Sequence, residues 1–208
     1  VARVRAGLEA GAQGAVQWLQ PSAASRTQVV SALREGYAPL LQARDPVVAL
    51  EAMSRFRVLC ALREGMSGTR GLNPWIEARL GAPGARIPIP WLVEANDAMV
   101  GLYNGDLGVS LPADGSAIWF GAGPAARAVA RTRLPAHASA WAMTVHKAQG
   151  SEFDAVMVLL PPRPHPLVSR EWLYTALSRA RQRVILYAAP EVVEAAVLAL
   201  GSRHSGLA

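Results

Sequence analysis

Lysine is almost missing from this sequence. The chain holds 21 basic residues, yet Lys147 is the one lysine among them. Cysteine is just as scarce, with Cys60 alone in the apolar run Val58 to Leu62. A single cysteine excludes an internal disulfide, suits a reducing cytoplasm, and is expected as a small buried hydrophobe. The four histidines are scattered, with no cysteine, histidine or carboxylate cluster around them at zinc-ligand spacing. Neither a metal site nor a Ser-His-Asp arrangement can be assembled from them. No apolar run reaches the length of a membrane span and no signal-peptide pattern opens the sequence, so no membrane partner is expected. Also missing is G-x-x-x-x-G-K-[ST], the loop that cradles phosphates in many nucleotide hydrolases.

What is present is a globular composition. The 208 residues are 51% hydrophobic, enough for one packed domain with or without a small insert. Fifteen acids against 21 bases leave a net charge of +6. That favours an anionic partner such as nucleic acid, although a composition rich in Ala, Gly and Arg gives the same excess.

Val4, Leu8, Ala12, Ala15 and Leu19 recur at helical spacing, which predicts a helix over 4–19 stopped by Pro21. Ser25 or Thr27 caps a second helix through Val29, Val30 and Leu33 toward Leu41, kinked or split at Pro39. Asp45-Pro46 is a cap and first-turn pair for a helix over 47–53. Phe56 to Ala61 reads as a short buried strand and Leu72 to Leu80 as a helix beyond the loop, which is α/β order. Arg63 and Ser67, just past that strand, are candidates for nucleic-acid or nucleotide contact. The alternative is a solvated turn in which Arg63 pairs with Glu64 or another acid.

Gly81 to Pro90 is turn-rich and marks a boundary. Short strand-like pieces follow between Trp91 and Arg133, one of them Val100 to Tyr103. The tight-turn signals Asn104-Gly105-Asp106 and Asp114-Gly115 separate them, as in a small β-barrel or meander. Trp119 is expected in its core. Tyr103 is either core or a stacking surface for single-stranded DNA. Arg127, Arg131 and Arg133 either solubilise the surface or take phosphates.

Two stretches carry the chemistry. Trp141 to Asp154, W-A-M-T-V-H-K-A-Q-G-S-E-F-D, starts as an alternating strand and breaks into the polar loop His146 to Glu152. It re-enters an apolar strand, Ala155 to Leu160. Loops at strand ends are where α/β proteins meet ligands. Tyr174 to Arg181, Y-T-A-L-S-R-A-R, places two arginines near the end of a helix predicted over 170–182 and capped by Ser169. Arginine forks there suit phosphate. Leu173, Ala176, Leu177 and Ala180 form the stripe that faces the sheet. Thr175 and Arg179 share the face beside it, so one of the two arginines aims at a given ligand. A strand over 183–187 and a helix over 191–200 complete the order.

T-V-H-K-A-Q-G-S-E-F-D followed by L-Y-T-A-L-S-R-A-R resembles motifs V and VI of the superfamily-one helicases. Within these it is most similar to the RecD family, the alpha subunits of exodeoxyribonuclease V. L-C-A-L-R-E-G (Leu59 to Gly65), L-Y-N-G-D-L-G (Leu102 to Gly108) and the tail S-G-L-A (Ser205 to Ala208) extend the likeness along most of the chain. The resemblance implies an α/β fold, the RecA-like (P-loop NTPase-type) second motor domain. Its two segments, 1–93 and 137–208, would flank an SH3-like all-β insert over 94–136. It implies ATP with Mg, held mainly by a first motor domain, because the phosphate loop is missing here. On that reading the chain starts just past motif IV of a longer enzyme and is inactive alone.

The resemblance also assigns residues. Arg179 maps onto the arginine that reaches the γ-phosphate; without the resemblance it is a cation favoured by the helix dipole. Arg181 reads as a structural ion-pair partner. Glu152 resembles the acid that accepts hydrogen bonds from the nucleotide sugar. Gly150 lets backbone approach a ligand closely, and Gln149 stands between the nucleotide and DNA sides. Thr144 and His146 resemble residues that face single-stranded DNA, and Lys147 adds a charge for phosphate. The implied partners are single- and double-stranded DNA and the RecB and RecC subunits, in the cytoplasm. The implied work is ATP-driven translocation in double-strand break repair and recombination. Two other readings stay open: a non-catalytic module that binds single-stranded nucleic acid or protein, and a RecD-like helicase acting without RecB and RecC.

Overall fold

The structure, a computed structural model, describes residues 15–82 and 85–199. In chain order the elements are β1 (Ala15–Leu19), α1 (Ala23–Gln42), α2 (Pro46–Ala52), β2 (Phe56–Cys60) and α3 (Thr69–Leu80). Then come β3 (Ile89–Val93), β4 (Leu107–Ser110), β5 (Ala117–Phe120), β6 (Arg127–Ala130) and β7 (His137–Ser139). The chain closes with β8 (Ala142–Thr144), β9 (Phe153–Leu159), α4 (Arg170–Leu177), β10 (Ala180–Tyr187) and α5 (Pro190–Leu198).

Five strands form an all-parallel sheet in the order β1-β10-β9-β2-β8. Successive residues of its strands feed opposite cores. Val58, Cys60, Met157 and Ile185 point to the side covered by α1, α2 and α3. Leu59, Val156, Val158 and Val184 point to the side covered by α4 and α5. Burial on both faces is why β2 is fully buried along its length. The α/β order expected from the sequence is therefore present, and Cys60 is buried as expected.

Ala15–Leu19 is a strand rather than the end of a helix. Val16 and Trp18 alternate into the second core, and Trp18 Nε1 donates to the Ala188 carbonyl at 2.9 Å. This period-two burial overrides the helical spacing; residues 4–14 of the expected helix lie outside the described residues, as does the S-G-L-A tail. Helix α1 is capped by Ser22, with Ser25 as its reciprocal partner at the third helical position. It runs through Pro39, which falls in its last turn, where one missing donor interrupts little. Asp45 caps α2 by accepting from the amides of Val47 and Val48.

A second, antiparallel sheet has the order β6-β5-β4-β3-β7. Its first and last strands in the chain, β3 and β7, pair with each other, and the Glu94 amide donates to the Ala136 carbonyl at 2.7 Å just beyond them. Trp91, Val93, Leu102, Ile118, Phe120 and Val129 form its own core. Gly108 is required there, because a Cβ would lie 2.5 Å from the Phe120 ring. Trp119 departs from expectation. It packs against the first core of the parallel sheet beside Val109 and Leu111, with Nε1 donating to Asp114 at 2.7 Å. Its strand turns that residue outward from the small core, toward the larger apolar face. Tyr103 is 55% exposed, and residues 100–103 are a turn leading to an isolated bridge between Leu102 and Asp97 rather than a strand. Arg131 is not free surface charge either: it stacks on Trp91, 4.4 Å from the ring centroid.

Candidate nucleotide and nucleic-acid interface

The motif loop crosses the sheet from end to end. Thr144 closes β8 level with Cys60 and Leu159, at the carboxyl edge of the strands. Glu152 precedes β9, at the amino edge. With about 3.3 Å per strand residue, seven residues separate those levels by roughly 20 Å. Residues 145–152 span this on the face of the second core. Their turns are closed by bonds from Lys147 N and Ala148 N to Thr144 O, Gln149 N to His146 O, and Ser151 N to Ala148 O. Val145 and Ala148 are buried against the sheet, while His146, Gln149 and Gly150 are exposed. Gly150 has φ +81°, a left-handed conformation that ends the turns, and a Cβ there would meet open space.

At the amino edge the two motif stretches meet. Helix α4 ends at Leu177 rather than at residue 182: Ser178 caps it, and its hydroxyl donates to Thr175 O at 3.1 Å. Strand β10 begins at Ala180, opposite Phe153, with a register irregularity before Arg183. Pairing with β9 is stronger than two more helical residues without partners, so Arg179 lies in a turn and Arg181 in a strand. Arg179 Nη1 donates to Ser151 O at 3.2 Å and Nε to Thr175 O at 3.3 Å. Nη2 reaches Ser178 Oγ at 3.5 Å. These are carbonyls and a hydroxyl; among the described residues no acid pairs with Arg179. Arg181 Nε pairs with Glu152 Oε2 at 3.1 Å, and Nη1 lies 3.9 Å from Asp154. Arg181 is thus the ion-pair partner that the sequence suggests, and Glu152 is its acid.

At the carboxyl edge the candidate DNA residues gather beside the antiparallel sheet. Arg63, Thr144 and Lys147 line one cleft, together with Asn73, Glu94 and Ser139. It opens into a groove of about 350 Å³ that shares Arg63, Thr69 and Glu94 and adds Arg70 and Pro74. Arg63 pairs with Glu94 at 2.9 Å, so the acid of the alternative reading is Glu94 rather than Glu64. Glu64 pairs instead with Arg70 at 3.0 Å. The Lys147 ammonium donates to the Asn104 side-chain oxygen, and its amide to Thr144 Oγ1 at 3.4 Å. Both cations are therefore held by residues of the loop between β3 and β4. His146 stands apart from the cleft lining, on the exposed turn.

Beneath the loop, three buried side chains hold the link between β7 and β8. Arg57 donates to Ala140 O, Tyr37 to Trp141 O, and Asn73 both accepts from Ala142 N at 2.6 Å and donates to Ala142 O at 3.2 Å. Burial lowers the Arg57 pKa from its ordinary value, and Tyr37 opposes that shift. Burial also raises the Tyr37 phenol to about 12 and the Cys60 thiol to about 12. Sequence reasoning passes over these residues. A charged residue inside F-R-V-L-C is a legible signal for Arg57; Asn73, in a helix, carries none. Among the described residues there is no group of His, Cys, Asp and Glu able to hold a metal ion, and no helix long and apolar enough to cross a membrane.

A model of the UvrD-like helicase C-terminal domain matches residues 139–187, which contain the motif loop and Arg179. The RecBCD enzyme subunit RecD of Mycobacterium tuberculosis is 41% identical over 189 residues, covering 86% of this chain and 32% of that protein. The RecD subunit of Haemophilus influenzae is 36% identical over 73% of this chain and 24% of its own length. The ATP-dependent RecD2 DNA helicase of Deinococcus radiodurans is 34% identical over 61% of this chain and 19% of its own. A Bacteroides Pif1 helicase solved with ADP-AlF3 and single-stranded DNA has a TM-score of 0.43 at 18% identity, over 76% of this chain and 48% of that one. The chain spans about a third of the length of the first relative it matches. The α/β sheet is that of a RecA-like helicase domain, and the chain belongs to the RecD family of DNA helicases.

Proposed function

We propose that this chain is the second motor domain of an ATP-driven DNA translocase, with the nucleotide at the amino edge of its parallel sheet and single-stranded DNA at the carboxyl edge. The observation that carries this reading is the motif loop, whose two ends lie at the two edges. The residues at the amino edge fit a nucleotide presented from outside. Arg179 has a charge that no acid neutralises among the described residues, Gly150 is open to solvent, and Glu152 is exposed. ATP with Mg, held mainly by another domain, would supply the free energy.

In this reading Arg179 stabilises charge on the transferred phosphoryl, a contribution of about 10³–10⁵ in rate where arginine fingers have been measured. Glu152 accepts from the nucleotide sugar while sharing Arg181, and Gln149 and Gly150 flank the approach. Thr144, His146, Lys147 and Arg63 take DNA phosphates at the other edge. The antiparallel sheet, whose strands run from Ile89 to Ser139 and so reach beyond the expected 94–136, is read as an SH3-like insert between two motor segments. Two of the relatives are named as RecD subunits of a RecBCD enzyme; we infer RecB and RecC partners here too, and work in double-strand break repair and recombination.

The test is ATP turnover by the complete gene product, with and without single-stranded DNA. Stimulation by DNA is expected. Turnover indifferent to DNA rejects the reading.

A further inference from the structure

Arg57 is a charged residue that neither edge of the site uses. It is fully buried in β2. Its Nη1 donates to Ala140 O at 2.5 Å and its Nη2 to Met53 O at 3.1 Å, while Nε has no hydrogen-bond partner. Its guanidinium carbon stands 5.4 Å from the centroid of the Phe153 ring. Burying a cation costs several kcal/mol, and an apolar side chain of like volume often serves stability as well or better. Stability alone is thus a poor reason for an arginine here.

Its contacts lie where the two edges of the site are tied to the core. Ala140 is the exit of the insert: its amide donates to Pro90 O at 2.8 Å, and the two residues before it, Ala138 and Ser139, line the DNA cleft. Phe153 follows Glu152, and its amide donates to Arg179 O at 2.9 Å. One guanidinium therefore bonds the residue that follows the cleft-lining Ala138 and Ser139 on one side and, on the other, faces the ring of the residue whose amide bonds Arg179. Tyr37 bonds the neighbouring Trp141 and rests on the Phe56 and Trp141 rings, while Asn73 bonds Ala142.

We propose that Arg57 is a positioning residue that couples occupancy of the DNA cleft to the setting of Arg179, through Ala140 and Phe153. The proposal rests on the translocase reading above. A shift of β7 as a strand enters the cleft moves the Ala140 carbonyl. The planar guanidinium, bonded to that carbonyl and set over the Phe153 ring, moves with it. The Phe153 amide then carries the change to the turn at Arg179.

The test compares wild type, Arg57→Met and Tyr37→Phe in the complete gene product. Two quantities are read: the ratio of DNA-stimulated to basal ATP turnover, and the hydrogen-exchange rate of the Phe153 amide with and without oligothymidylate. In wild type the oligonucleotide is expected to change Phe153 exchange. In Arg57→Met that response is lost and the stimulation ratio falls about tenfold, a typical coupling strength, while oligothymidylate affinity holds. Tyr37→Phe, which also removes one bond to the same link, keeps both responses. If Arg57→Met does not fold, Arg57→Lys replaces it. Lysine keeps the charge but loses the flat fork, so the same losses are expected.

A folded Arg57 variant with wild-type responses overturns the proposal, as does an equal loss in Tyr37→Phe. Wild type that neither binds the oligonucleotide nor is stimulated by it rejects the translocase reading and the coupling together. Normal wild-type behaviour with an indifferent Arg57 variant rejects the coupling alone.

Discussion

Arg179 donates through Nη1 to the Ser151 carbonyl at 3.2 Å, and this bond sets the fork of one motif stretch against the loop of the other. Arg181, two residues on, is spent on Glu152. The two arginines so divide the work, and substituting them has different consequences. Arg179→Ala in the complete gene product is expected to lower ATP turnover by about 10³-fold or more. Arg179→Lys recovers little of that, because a point charge does not replace a fork. Melting temperature changes little, since the lost partners are two carbonyls and a hydroxyl at a partly exposed turn. Steady-state turnover and thermal melting check this; an Arg179→Ala protein with full turnover removes the arginine from the chemistry.

Arg181→Ala separates fold from site in the opposite sense. Its pair with Glu152 is more than half exposed on both sides, 57% and 56%. Such a pair contributes less than about 1 kcal/mol, and less again in salt. Arg181→Glu instead places a third carboxylate beside Glu152 and Asp154, the two acids now near Arg181. It is expected to destabilise more than alanine at low ionic strength, with the difference shrinking at high ionic strength. Urea unfolding at two salt concentrations reads both; an alanine variant as damaged as the glutamate one goes against the expectation.

Arg63 and Lys147 are each held by a residue of the loop between β3 and β4, Glu94 and Asn104. If DNA phosphates take over these cations, the log–log salt slope of single-stranded DNA binding falls by about 0.7 for each one lost. Arg63→Ala and Lys147→Ala should each show that reduction. Glu94→Gln should strengthen binding, since no acid then competes with phosphate for Arg63. Fluorescence anisotropy of a labelled oligothymidylate over a salt series is the measurement. Unchanged slopes in both alanine variants place the DNA elsewhere.

How much of this was legible in the sequence depended on whether a signal was local. The Asp45 and Ser169 caps and the buried strands at Phe56 and Ala155 follow from residues close together in the chain, and the structure has them. The misreadings came where tertiary pairing decided the outcome. Ala15–Leu19 has helical spacing but joins β10 as an edge strand, and residues 180–182 leave the helix because β9 offers a ladder partner. Trp119 faces the larger core and not the small one expected, because period two gives alternation without saying which core lies on which side. In the site, both arginines and the motif loop were named from sequence. Glu94, Asn104 and Asn73 were not, because their roles arise from the contact of two sheets that no local pattern encodes.

Tyr37 gives the molecule a sensitivity to alkali. The phenol is 2% exposed and donates to the Trp141 carbonyl. Burial raises its pKa from 10.0 to about 12, while Arg57 pulls the other way. A phenolate could not donate to Trp141, so the folded state keeps the proton that the unfolded chain loses. The unfolded state thus binds fewer protons than the folded one between pH 10 and about 12. The stabilisation from the neutral phenol is complete below pH 10 and is lost as pH rises through that window. The slope is on the order of 1.4 kcal/mol per pH unit for one such group. Cys60, raised from 9.0 to about 12 by burial, adds a loss of the same sign that begins earlier. Tyr37→Phe should start out less stable, by about 1 kcal/mol for the lost hydrogen bond and its orphaned carbonyl. It should then fall less steeply above pH 10, and the double variant Tyr37→Phe, Cys60→Ala should be flatter still. Urea unfolding from pH 8 upward gives these curves. Wild type and Tyr37→Phe falling in parallel above pH 10 would mean that the phenol does not carry the loss.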